Sequence, residues 1–457
     1  MRLGRIEAEG TPEVRTGRPS RRSRLQAISN LAFAAVSLGS LAGCGNTYRP
    51  VVTSINPVGP ASQPNKYAIA ISSPGPSLPG LVTIVDFSGD SVLVTANIGV
   101  DPYFLWLNAS GTTGYTLNND KTLTSFDIST SLQTRDVIQT TLLDNANSNS
   151  IFSDVTALFV TEPGRNAVAQ LKEAPPPPSL NQEFPIDAGY SPVYIAGHSG
   201  SPRAYVISQK NDGGPGEVAA IEMASSTIST KIDVGRSPVY GVMTADGKRA
   251  FIMNKGDNTV SVINAQTNQL DVLPALPDNP RAVNPIPVGA APVWADLAPT
   301  RNELVVANEG DGVSKGSVSI INIPLCSAAA LPGNPNCDPN NPVDANGFGQ
   351  VLANVPVGID PLMVAVLQDG SRAYVINRAD STVSVVNLTT NTVTATIPVP
   401  DSPHPTFIAC ISGTPTGKVY VTSPESNRMT IIRTDTDVVE TTVPLQGKGV
   451  MVRTQQP

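Results

Sequence analysis

The chain has 457 residues, with 42 Pro, 37 Gly, 5% aromatic and 15% charged residues, and a formal net charge of −7. This acidic balance, with no basic face after the N-terminus, argues against a phosphate-backbone binder, and no nucleic-acid partner is expected. Turn formers scattered among short β-branched runs argue against a helical protein and for an all-β one.

Residues 1–24 are arginine-rich, Leu25–Leu41 are mostly apolar and small, and the stretch ends in Leu41-Ala42-Gly43-Cys44. A basic region, a short apolar region and a small-residue cleavage site describe a secretory signal. The apolar stretch is short for a membrane span. Leu41 to Cys44 resemble a bacterial lipobox, which implies that 1–43 is a signal peptide and that Cys44 carries lipid at the head of a linker, 44–66. Ser20 to Leu25 loosely resemble a twin-arginine signal, although Arg24 stands where that motif prefers an aromatic residue, so the export route stays open. Gly45 after the cysteine resembles outer-membrane sorting. The expectation is an exported chain, lipid-anchored in the bacterial cell envelope at the outer membrane or cell surface.

From residue 67 one pattern recurs: an aromatic or aliphatic residue, a short apolar run, then a small polar residue. It reads Tyr115-Thr116-Leu117-Asn118, Phe251-Ile252-Met253-Asn254 and Tyr374-Val375-Ile376-Asn377, among other copies, at intervals of about 45 residues. Insertions at 274–287 and 324–350 lengthen two intervals. A turn and a second β run follow each copy, as in Val383-Ser384-Val385-Val386-Asn387. A third run comes next, then a Gly-x-x-Pro connection (Gly99–Pro102, Gly189–Pro192, Gly235–Pro238, Gly289–Pro292, Gly358–Pro361) into another. Glycine there is expected to allow a tight crossing. Four short strands cannot bury both faces of a sheet alone, whereas radial stacking buries them. The 67–457 region is therefore expected to be a β-propeller of four-stranded antiparallel blades.

The first unit has clear strands at Tyr67–Ser72, Val82–Phe87 and Ser91–Ile98 but a doubtful first strand. After the last unit the chain adds Gly449-Val450-Met451-Val452, a first strand without its unit. Pairing the termini in a composite blade closes the ring. The count is eight blades, or seven if the weak unit at 151–187 is irregular. Tyr374 to Asn377, with Asp380 to Asn387 after them, resemble the YVTN family of propeller repeats, most strongly over residues 236–445. The resemblance implies a toroid in a microbial envelope and no single activity.

Candidate chemistry is sparse. His198 and His404 are expected in loops, too few imidazoles for most metal propeller enzymes. No nucleophile elbow, phosphate loop or zinc motif appears, and no catalytic residue, metal or cofactor is expected. Asp246-Gly247 and Asp369-Gly370 read as type I′ turns rather than calcium loops. Asp101, Asp360 and Asp401 sit in blade-entry connections, where they either suit the turn or gather at the channel mouth to bind a cation or basic group. Trp106 and Trp294 either fill space between blades or form a binding surface. Cys326 and Cys337 are expected to pair as a disulfide that staples an insertion, and Cys410 to be a buried hydrophobe. The functional expectation is a non-catalytic binding or scaffold module, a monomeric toroid, with an envelope protein or glycan as partner. The alternative is a lactonase- or quinoprotein-like enzyme with a metal or substrate site at the channel.

Overall fold

Each unit begins from strands that are apolar on both faces. Arg372–Asn377 and Thr382–Asn387 form a hairpin whose interior positions are all buried. Such a hairpin needs cover on both sides, and the neighbouring units supply it. The outer strand, Thr392–Pro398, alternates exposed with half-buried positions up to the buried Ile397, as a rim strand should. A computed structural model describes residues 66–455, apart from 129–137, 142–145, 156, 174–176, 272–283, 326–343, 346 and 414–415.

Eight antiparallel sheets follow one another around a ring. Blade 1 runs, inner strand to rim, Lys448–Thr454, Tyr67–Ser73, Pro79–Asp86, Val92–Val100. Blades 2 to 8 each take four successive strands, with inner strands Pro102–Leu107, Ile151–Ser153, Tyr190–Gly197, Pro238–Met243, Pro292–Ala298, Pro361–Val366 and Phe407–Ile411. Blade 5 also pairs Ile286–Pro287 onto Thr259–Asn264, beyond the first insertion. The composite blade is as expected: Ile71 faces Met451 and Ser72 faces Gly449, with a bulge between. The doubtful unit is a regular blade, Ile151–Ser153, Ala157–Glu162, Ala167–Lys172, Ser179–Pro185, although its inner strand is the shortest. The count is therefore eight.

The recurring asparagine has a physical role. Asn377 Nδ2 donates to Thr382 Oγ1 and Ser384 Oγ, each at 2.9 Å, and its Oδ1 accepts from Gly358 N at 3.0 Å. Asn254 repeats the hydroxyl bonds with Thr259 and Ser261, Asn308 with Ser317 and Ser319, and Asn118 with Thr122 and Thr124. The amide thus ties the next strand of its hairpin, five and seven residues on in blades 5 and 7, four and six in blade 2, nine and eleven in blade 6, and in blade 7 it also holds the blade-entry connection. All four are essentially inaccessible, so each lost bond would leave a buried polar group unsatisfied.

The same contact explains the Gly of Gly-x-x-Pro, and it corrects the expected reason. Gly99, Gly235, Gly289 and Gly358 do not have positive φ; among these connections only Gly189 does. A Cβ on Gly358 would lie 2.5 Å from Asn377 Cγ, and one on Gly99 would lie 2.3 Å from Asn118 Nδ2. Space for the asparagine is what requires glycine. The left-handed residue falls instead just before the proline, at Asp101 (φ 49°), Ser237 (φ 47°), Ala291 (φ 54°), Asp360 (φ 60°) and His404 (φ 45°).

The Asp-Gly turns are also corrected. A type I′ turn needs positive φ at both central residues, yet only Gly247 and Gly370 have it, not Asp246 or Asp369. Gly247 N donates to Thr244 O at 2.8 Å, which makes the glycine the fourth residue of the turn. Asp246 Oδ1 accepts from Lys248 N at 3.0 Å and from Thr244 Oγ1 at 2.6 Å, so the aspartate caps its own loop.

Candidate functional site

The blade-entry aspartates each meet local partners. Asp101 accepts from Ser73 Oγ and from Asn119 Nδ2, both at 2.6 Å, and so ties blade 1 to blade 2. Asp360 is buried; its Oδ2 accepts from Arg378 Nε at 2.5 Å, and Arg378 lies 3.9 Å from Glu309 of blade 6. Asp401 is exposed, 3.8 Å from Arg428, beside a groove of about 450 Å³ between the rim strands of blades 7 and 8. Among the described residues no three His, Cys, Asp or Glu side chains are grouped as metal ligands. His198 and His404 are both exposed, and His404 Nδ1 lies 3.0 Å from Glu425 Oε2. Cys410 is buried and donates to Val366 O at 3.1 Å, and burial pushes its thiol far up. Cys44, Cys326 and Cys337 lie outside the described residues.

The central channel gathers a different set. Two residues after each blade-entry proline the inner strand places a large side chain: Phe104, Tyr194, Tyr240, Trp294, Met363 and Phe407. A bulge separates the proline from this residue in blades 2, 4, 5, 6 and 7, which re-aims the side chain. Tyr194 and Tyr240 have ring centroids 4.6 Å apart, and Tyr240 stacks on Trp294 at 3.9 Å. Trp294 of blade 6 then meets Phe407 of blade 8 edge-on at 5.9 Å. Contact past blade 7 is possible only toward the axis. Of the two expectations for Trp294, between blades or at a binding surface, its rings point to the channel. Trp106 packs edge-on against Phe152 of blade 3 at 6.2 Å.

One cation enters this aromatic set. The last strand carries Arg453, whose guanidinium lies 5.0 Å from the Phe407 ring centroid and 5.4 Å from that of Trp106. Its Nε and Nη2 are buried without hydrogen-bond partners, as is Trp106 Nε1. Cation–π contacts contribute about 0.5–2 kcal/mol each. A buried charge deprived of its partner costs about 3–5 kcal/mol, so the rings alone do not neutralise Arg453. Asp296, on the inner strand of blade 6, feels this charge. Burial raises its carboxyl to about 6, opposed by the N–H groups of Val366 and Leu297 and by Arg453. Those N–H groups donate to its two oxygens at 2.8 and 2.9 Å. Burial likewise raises the Tyr194 and Tyr240 phenols, opposed in both by the Arg453 charge and, at Tyr194, also by a hydrogen bond with Arg453.

A second buried charge cluster is structural. Arg249, 1% exposed, lies 2.5 Å from Asp271 and 3.0 Å from Asp344. Asp344 faces Leu325 in an isolated bridge at the base of the second insertion. Burial and the Asp271 charge raise the Asp344 carboxyl, against the pull of Arg249.

No family model matches the chain, and no curated protein matches it in sequence. Solved structures do. The apo structure of AztD from Citrobacter koseri superposes with a TM-score of 0.56 at 11% identity, over 85% of this chain and 97% of that one. Dihydro-heme d1 dehydrogenase NirN, in complex with DHE, gives 0.59 at 13% identity, over 85% of this chain and 75% of that one. At these identities the likeness establishes the β-propeller fold.

Sequence reasoning singled out Trp106 and Trp294 but not Arg453, Asp296, Tyr194, Tyr240 or Phe407. The signal was the large residue two places after each entry proline. Nothing local marks Arg453, which becomes central only once the last strand closes blade 1.

Proposed function

We propose that this chain is a non-catalytic binding or scaffold module of the bacterial cell envelope, anchored by lipid at Cys44 after removal of residues 1–43. The resemblance of residues 236–445 to YVTN repeats and of Leu41 to Cys44 to a lipobox supports the address. One observation carries the binding reading. The acids of the blade-entry turns are engaged by local donors, Asp101 by the neutral Ser73 and Asn119 and Asp360 by Arg378, which makes that rim a stiff platform. The partner is an envelope protein or a glycan. Cross-linking in the native envelope followed by mass spectrometry tests this. One dominant partner at near-equal stoichiometry is the expected result, and no enriched partner would overturn the scaffold reading. The anchor has its own test: Cys44→Ala is expected to release the protein from the membrane fraction and change its mobility.

A second reading, an enzyme centred on the channel, is favoured by Asp296, a carboxyl held near neutrality beside aromatic walls. Asp296→Asn separates the two readings, since a scaffold keeps its partner and an enzyme loses turnover.

A further inference from the structure

Every other arginine among the described residues has a carboxylate within 4 Å. Arg165, Arg203, Arg236, Arg249, Arg301, Arg372, Arg378, Arg428 and Arg433 are all so paired. Arg453 has none among the described residues, although it sits at the centre of the ring between Trp106 and Phe407. Its field reaches Asp296, but both Asp296 oxygens already accept backbone N–H groups.

We propose that Arg453 and Trp106 form a binding site for a small carboxylate with a flat apolar body. Three groups of this contact, Arg453 Nε, Arg453 Nη2 and Trp106 Nε1, have no hydrogen-bond partner among the described residues, and all are donors, so they fit an acceptor ligand. A cavity of about 210 Å³ adjoins them, its wall part apolar (Trp106, Leu107, Ala109) and part polar (Asn108, Thr454), with Arg453 at one side. Asn108 in that wall is a neutral amide and supplies no counter-charge, and its Oδ1 already accepts from the N–H groups of Thr112 and Thr113. A single guanidinium fork matches a carboxylate bidentately. The single cation, the indole and the small volume suit a compact planar acid better than a phosphate, which draws on several cations or a nest of backbone N–H groups. The indole lies against the guanidinium, so a carboxylate bound at Arg453 changes the surroundings of Trp106, whose emission reports the event. The site is independent of the envelope anchor and of any protein partner.

The chain has two tryptophans, so Trp294→Phe leaves Trp106 as the only indole emitter. Sodium benzoate is titrated into this variant by fluorescence and into the wild-type chain by calorimetry. Benzamide serves as the neutral isostere and inorganic phosphate as the competing anion. The expected result is saturable benzoate binding, at least tenfold weaker in Arg453→Gln, with no saturation by benzamide. Arg453→Gln lies in the closing strand, so its fold is checked by circular dichroism. Trp106→Phe, which keeps a ring and removes the N–H, is the second variant and is expected to weaken benzoate several-fold by calorimetry. Absence of saturable benzoate binding, equal binding of benzamide, or binding of phosphate in place of benzoate would each overturn the proposal. Loss of the scaffold partner in envelope cross-linking would leave this result untouched.

Discussion

Blades 7 and 3 share strand order and pairing but differ at one buried register position. In blade 7, Asn377 faces Thr382 across the hairpin and reaches Ser384 beyond it. In blade 3 the same place is held by Glu162, facing Ala167, with Ala169 where the second hydroxyl would be. Glu162 is 0% exposed, neither oxygen has a hydrogen-bond partner, and the nearest cation is Arg165 at 3.8 Å. The tie to the entry segment has moved back one residue, to Thr161. Its Oγ1 accepts from Ser150 N at 2.9 Å and donates to Asn149 Oδ1 at 2.5 Å. A blade therefore tolerates loss of the repeat's asparagine when a neighbouring hydroxyl pins the inner strand, but it then carries a buried acid.

The comparison breaks most sharply at Asn377. Asn377→Ala orphans Gly358 N and two hydroxyls, and is expected to lower unfolding free energy by about 2–4 kcal/mol, read as a shift of the urea midpoint.

Glu162→Gln should act in the opposite sense. Burial, together with the Glu183 charge, raises the Glu162 carboxyl from 4.5 to about 7, against Arg165. A carboxyl raised by folding favours the protonated native state. Its contribution is fully present below pH 4.5 and is lost as pH rises through about 7. Glu162→Gln is therefore expected to stabilise the protein by roughly 1–3 kcal/mol at pH 8 and little at pH 4. Thermal unfolding at both pH values checks this, and equal effects at both would remove the buried-acid account.

Thr161→Ala should cost roughly 1–2 kcal/mol, if the lock has moved as described. Hydrogen exchange of the Ser150 and Ile195 amides, which sit at the blade 3 entry and on the next inner strand, would localise the loss. The smallest effect is expected at the rim, where Asp401→Ala breaks an exposed pair with Arg428 and should move stability by no more than about 0.5 kcal/mol.

The ring was legible because its signals are local and repeated. Tyr374 to Asn377 and Val383 to Asn387 report a hairpin by themselves, and Gly449 to Val452 report a strand looking for a unit. The reason for the glycines was not legible, because the asparagine that crowds Gly358 lies nineteen residues downstream. Nor was the channel. Asp101, Asp360 and Asp401 drew attention as acids, yet their partners, Ser73, Asn119, Arg378 and Arg428, lie on neighbouring turns that only the folded register brings close. Tyr194, Tyr240, Trp294 and Phe407 meet through closure of the ring, and spacing along one blade carries no trace of contact between four.

The pairing of Ile71 with Met451 has a consequence for biosynthesis. The ribosome finishes blades 2 to 8 before it makes the strand that completes blade 1, so the newborn polypeptide stays an open arc until residues 448–454 emerge. Those residues also deliver Arg453 to the axis. A chain cut or stopped before residue 448 would lack both the clasp and the axial cation.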